Sequence, residues 1–181
     1  SETYNLRNVR MSVAESLDAI RAIGGITGPV PVDAVVSCAF GSPYEGDVPP
    51  AVLATLVERL RDAGCAAVTL ADTTGMATPR RIEEALSATG VEVGLHLHDT
   101  RGTALVNAYA ALGLGVTRFD TAVGGLGGSP FAHGATGNLA TEELVALLDD
   151  LGVHSGVDVE ALVAVADLGS RLVGRPVPSR V

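Results

Sequence analysis

A chain of 181 residues with 47% hydrophobic and 18% charged side chains carries enough apolar material for one domain with a real core, which excludes a disordered or fibrous polymer. A formal net charge of −9 without any cluster of Lys or Arg excludes a nucleic-acid-binding surface. No apolar run approaches the roughly 20 residues needed to cross a bilayer, so no membrane partner is expected either. The two cysteines, Cys38 and Cys65, are separated by a predicted helix and fit neither zinc nor redox spacing; small buried thiols in a reducing, cytoplasmic setting are expected.

In chain order, a leading helix is expected over 12–23. Four apolar, β-rich runs near 33–40, 66–72, 91–98 and 117–123 are each followed by a glycine- or proline-marked loop and then a helical pattern. Within 50–64, Val52, Leu53, Leu56, Val57 and Leu60 recur at helical spacing opposite Glu58, Arg59, Arg61 and Asp62, so one face is core and the other solvent. Pro79, behind Thr78, suits the first turn of a helix over 80–88, with Gly90 as its stop. Further helices are expected over 102–114, over 141–150 with Thr141 as cap and Glu142 and Glu143 complementing the dipole, and over about 157–172. The chain thus reads as one α/β domain without a linker, its βα units forming either a small open sheet or part of an eight-stranded TIM barrel. Ser37, Asp72, His98 and the loop after Val123 fall at carboxyl ends of strands, where such barrels build active sites. Half a barrel would expose two long strand edges.

In the extended run 91–98, side chains alternate, so Glu92, Gly94, His96 and His98 share one face. Two imidazoles at i and i+2 are able to reach one divalent cation, or to serve as strand-end histidines bonded to backbone or to Asp99. Asp72 emerges where a strand opens into Thr73-Thr74-Gly75, either to orient substrate and handle a proton or to shape an Asx-turn or helix cap. Residues 124–138 hold six glycines and one proline in fifteen positions, a loop able to approach a ligand closely. A lid is one reading and a phosphate cradle the other, although the spacing fits neither a P-loop nor a dinucleotide fingerprint. Asn138 either offers an amide oxygen to a hard cation or caps the following helix.

Val36-Ser-Cys-Ala-Phe-Gly-Ser-Pro-Tyr-Glu-Gly46, Leu70-Ala-Asp-Thr-Thr-Gly75, Leu95-His-Leu-His-Asp-Thr100 and the run from Gly124 to Glu142 occur in the order seen in 3-hydroxy-3-methylglutaryl-CoA lyases, which the chain resembles nearly end to end. Ser1-Glu-Thr-Tyr-Asn5 resembles the end of that family's fourth barrel strand. The resemblance therefore implies the carboxyl-terminal portion of a pyruvate carboxyltransferase-like TIM barrel, about strands five to eight, with a complementing N-terminal half-barrel or a homo-oligomer closing it.

The same resemblance implies a carbon–carbon lyase of leucine or acyl-CoA metabolism. Its substrate would be an acyl-CoA thioester, its cofactor Mg²⁺ or Mn²⁺, and its reaction the retro-Claisen cleavage of 3-hydroxy-3-methylglutaryl-CoA to acetyl-CoA and acetoacetate. His96, His98 and Asn138 correspond to metal ligands; Asp72, Ser129, His96 and His133 form the implied catalytic set. Two departures stand out. The Arg-Asp pair of the family's first strand is absent, which implies weak metal binding by this chain alone. Ser129 stands where better-known lyases carry a cysteine thought to move a proton, and an unassisted serine is far less acidic than a thiol. His133 is either its substitute as a proton carrier or a solvent-exposed loop histidine. The alternatives are a lyase or aldolase acting on a related branched 3-hydroxyacyl-CoA, and a catalytically incompetent half-barrel that acts only as an assembly partner.

Overall fold

The computed structural model describes residues 1–131 and 137–181. Two helices, α1 (Glu2–Val9) and α2 (Val13–Thr27), lead into β1 (Asp33–Val36), α3 (Pro50–Asp62), β2 (Ala67–Asp72), α4 (Pro79–Thr89), β3 (Gly94–Leu97), α5 (Ala104–Gly113) and β4 (Phe119–Asp120). A short 3₁₀ turn (Val123–Gly125), α6 (Thr141–Asp150) and α7 (Val159–Val173) follow. The strands form one parallel sheet in the order β1-β2-β3-β4, so the expected succession of βα units is what folds, with β1 and β4 at its edges. Among the described residues no helix is long and apolar enough to cross a membrane.

One expectation is corrected at the start of the chain. Residues 2–9 are helix, not the end of a strand: the Ser1 side chain accepts a hydrogen bond from Tyr4 N–H and caps α1. Behind it Ser12 and Glu15 form a capping box, each satisfying a backbone N–H at the start of α2. The strands are also shorter than the apolar runs. The first stops at Val36, two residues before Cys38 turns the backbone to φ 56, and the fourth keeps two residues, Phe119 and Asp120.

Register decides which side chains meet. Ala34, Val68, Val36, Leu70, Leu95 and Leu97 point to one face and bury against Leu53, Val57 and Leu60 of α3, Ile82 and Leu86 of α4 and the alanines of α5. Each fully buried Leu or Ile there contributes about 1.5–3 kcal/mol relative to exposure. The other face carries Asp33, Val35, Thr69, Gly94, His96 and Asp120, and Val35 on it remains exposed. Across its amino-terminal end the Arg118 guanidinium spans to Asp33 at 3.4 Å, Thr69 Oγ1 at 3.3 Å and Val68 O at 3.3 Å. Gly94 makes room for this crossing, since a Cβ there would stand 2.7 Å from the guanidinium. The carboxyl-terminal end of the same face is left to the two histidines.

Candidate active site

On β3, His96 lies in register with Ala71 and Asp120, and its Nδ1 stands 3.9 Å from Asp120 Oδ2. His98, just past the strand, is buried; the two imidazole centroids are 5.2 Å apart with the rings tilted by 57°. The alternation expected from sequence therefore does bring both rings to one side.

The chain returns to this point after the glycine loop. Leu139 N–H donates to Leu97 O at 2.8 Å and Asp99 N–H to Gly137 O at 2.9 Å, so 137–139 runs antiparallel to 97–99 and sets Asn138 opposite His98. Asn138 Nδ2 donates to Leu126 O at 2.8 Å, which fixes the amide and leaves its Oδ1 buried with no hydrogen-bond partner among the described residues. Gly127 lies so close to that amide that a side chain at 127 would displace it. Asn138 does not cap the next helix; that position belongs to Ala140.

A buried, unpaired amide oxygen costs about 1–3 kcal/mol unless something binds it. Two imidazoles and this oxygen are a donor set that suits a divalent cation such as Mg²⁺ or Mn²⁺, with the remaining positions left to water or substrate oxygens. Among the described residues no group of three His, Cys, Asp or Glu side chains gathers to hold an ion.

Asp72 is placed otherwise than beside the histidines. It pairs in register with Leu97, whereas His96 pairs with Ala71, so its side chain leaves β2 toward the helix-covered face. Its Oδ1 accepts from Met76 N–H at 2.8 Å and Ala77 N–H at 3.0 Å, while Oδ2 is buried without a partner among the described residues. The carboxylate thus shapes the turn that leads to α4, the Asx-type role that sequence left open. Burial pushes its pKa up to about 6 against the pull of those two N–H groups and of Arg101 and Arg81.

Ser129 lies at the far reach of the described loop. Its Oγ is 2.7 Å from Tyr4 Oη, and Tyr44 Oη donates to Phe131 O at 2.8 Å, so both tyrosines hold this segment. His133 lies outside the described residues. Cys38, buried beside this cluster, has its thiol pushed up to about 11 by burial, and Cys65 is buried too, as expected of packing thiols.

Several supports were not read from sequence. Glu142, fully buried, accepts the Gly124 N–H on both oxygens at 2.9 and 3.1 Å, and so ties the loop to α6 instead of facing solvent at the helix start. The last residues cross the same hinge. Ser179 N–H donates to Gly124 O, and the Arg180 guanidinium reaches Asp99 at 3.1 Å and Glu143 at 3.3 Å. The Ser/Thr-Glu pattern at 141–143 read as an ordinary helix start, and a lone Arg near a chain end carries no pattern at all. The partner of Ser129 was equally invisible, because 125 residues separate the two hydroxyls.

A family model described as HMGL-like matches residues 1–168. Human mitochondrial hydroxymethylglutaryl-CoA lyase is 40% identical over 188 residues, covering 100% of this chain and 58% of that protein. A crystal structure of the Bacillus subtilis HMG-CoA lyase superposes with a TM-score of 0.93 at 39% identity, over 99% of this chain and 63% of that one. An HMG-CoA lyase from Acinetobacter baumannii, solved in complex with coenzyme A and 3-methylmalate, superposes with a TM-score of 0.92 at 39% identity, over 99% of this chain and 61% of that one. The chain spans less than two thirds of the length of each of these relatives.

Proposed function

The chain belongs to the HMGL-like family, and on that premise we propose that it carries the metal-holding carboxyl-terminal portion, about strands five to eight, of a TIM-barrel carbon–carbon lyase. The reaction is the retro-Claisen cleavage of 3-hydroxy-3-methylglutaryl-CoA to acetyl-CoA and acetoacetate. The observation that carries this reading is the orphaned Asn138 Oδ1 beside the two imidazoles of one sheet face.

His96, His98 and Asn138 would hold the divalent cation, which when bound polarises the hydroxyl and carbonyl oxygens of the substrate. The remaining work falls to the chain's own side chains. His96, held toward the cation on the open face with Asp120 3.9 Å behind its ring, faces the tertiary hydroxyl, whose proton leaves to water on that face. Ser129, on the segment between the 3₁₀ turn and α6 and held against Tyr4 of α1, returns a proton to the departing acetyl-CoA enolate. Asp72 acts from below: by accepting the Met76 and Ala77 N–H groups it holds the turn that abuts Thr100, two residues beyond His98. A dry, buried carboxylate with a pKa near 6 is also a group able to exchange a proton near neutrality.

The test is acetoacetate release from 3-hydroxy-3-methylglutaryl-CoA by the chain with Mg²⁺ or Mn²⁺, alone and mixed with a polypeptide carrying the family's first four strands. Release abolished by EDTA and by Asn138→Ala supports the reading. Release that survives both, or none from either preparation although the protein is folded and metal-loaded, contradicts it.

A further inference from the structure

The serine of the glycine loop has a partner from the opposite end of the chain. Ser129 Oγ stands 2.7 Å from Tyr4 Oη and accepts a longer contact, 3.4 Å, from Phe131 N–H. Tyr4 is the buried residue of α1, and its ring meets that of Phe131 edge-on with centroids 6.5 Å apart. Tyr44 Oη holds Phe131 from the other side through its carbonyl oxygen, and the Arg7 guanidinium lies 4.7 Å over the Tyr44 ring. The serine is therefore set in a built pocket of aromatic and hydroxyl groups.

Either hydroxyl of the short contact could donate, and acidity favours one sense. A phenol is a much stronger acid than an alcohol, so Tyr4 is the better donor and Ser129 Oγ the better acceptor. A hydroxyl has two lone pairs and one proton. With Tyr4 O–H on one pair and Phe131 N–H on the other, the serine's own proton is the part that remains for a substrate. Donation into Oγ also polarises that O–H bond, since hydrogen bonds in a chain strengthen one another.

We propose that Tyr4 is the positioning residue of Ser129, presenting the serine O–H as the proton donor of the cleavage; this rests on the lyase reading for the reaction but not for the contact. In the step, the enolate carbon takes the proton of Ser129 as the C–H bond forms and the serine O–H bond breaks. Tyr4 passes its own proton to Ser129 Oγ, and water restores the phenol. A thiol exchanges protons near neutrality without help, so a cysteine at 129 makes the tyrosine hydroxyl dispensable.

The experiment uses the full chain with Mg²⁺, supplemented where turnover requires it by the four-strand polypeptide. The variants are Tyr4→Phe, Ser129→Ala, Ser129→Cys and the two doubles that contain Tyr4→Phe. Amide hydrogen exchange across 126–131 reads the contact, and acetoacetate release against pH reads the chemistry. Tyr4→Phe and Ser129→Ala are each expected to speed exchange at Phe131 several-fold, with no further gain in their double. Tyr4→Phe should lower kcat by about tenfold or more with little change in KM, and should have no such effect in the Ser129→Cys background. Exchange effects that simply add, or an equal kcat loss in both backgrounds, would overturn the inference. Coupling in exchange without acetoacetate from any preparation would overturn the lyase reading and the donor role together, whereas turnover without coupling would overturn the inference alone.

Discussion

Replacing Asp72 by asparagine should change the pH dependence of stability in a way that its burial dictates. The side chain has no exposed surface, and its pKa rises from the ordinary 3.8 to about 6, chiefly because burial penalises the charged form. A raised carboxylate pKa means that between those two values the folded protein holds a proton which the unfolded chain has released. Folding stability therefore falls as pH climbs through that window and levels off above it. A rise of about two in pKa corresponds to roughly 3 kcal/mol. In Asp72→Asn the introduced amide would keep an oxygen for the Met76 and Ala77 N–H groups, and any fixed cost of its buried NH₂ is the same at every pH. The difference in unfolding free energy, variant minus parent, should therefore grow by about 2 kcal/mol between pH 4 and pH 7, the part of the full change that falls in that window, with most of it below pH 6.5. Urea unfolding followed by circular dichroism at half-unit steps measures it directly. A flat difference, or one that shrinks as pH rises, would refute the assignment of Asp72 as a desolvated carboxyl.

Three further perturbations follow from the site. Asn138→Ala removes the orphaned oxygen and should weaken Mn²⁺ binding by at least roughly tenfold in a calorimetric titration, the scale of losing even an outer support; unchanged affinity would remove Asn138 from the donor set. Gly75→Ala places a Cβ 2.6 Å from Thr100 Cβ at a backbone φ of +67, and should cost about 1–3 kcal/mol in urea unfolding. A neutral effect would show that the contact between the two loops yields easily. Glu142→Ala leaves the buried Gly124 N–H unpaired and should destabilise by about 1–3 kcal/mol while speeding exchange at that amide; slow exchange in the variant would mean that the carboxylate does not hold the hinge.

What sequence disclosed and what it withheld divide along the range of the forces involved. The βα succession was legible because helical and strand periodicity are local, and the parallel sheet follows from the crossovers. The alternation of 91–98 placed His96 and His98 together for the same reason. Strand ends were not legible: Cys38 leaves the β region through a positive φ that no neighbouring residue announces. The start of the chain reads as strand by resemblance, yet Ser1 followed by a free run of helix-compatible residues folds as a capped helix. Asp72 illustrates a subtler limit. It stands at a strand's carboxyl end as expected, but a one-residue offset in register puts it on the face opposite the imidazoles, and register is a property of strand pairs, not of one segment. Long-range partners, Tyr4 for Ser129 and Arg180 for Asp99 and Glu143, appear only once the chain has closed on itself.

The most direct test of the account is pulsed electron paramagnetic resonance of Mn²⁺ bound to the chain. Nitrogen couplings from two imidazoles are predicted, with one lost in His96→Ala and the other in His98→Ala. Spectra without nitrogen coupling at saturating Mn²⁺, or couplings that persist unchanged in both variants, would contradict the claim that this sheet face holds the metal.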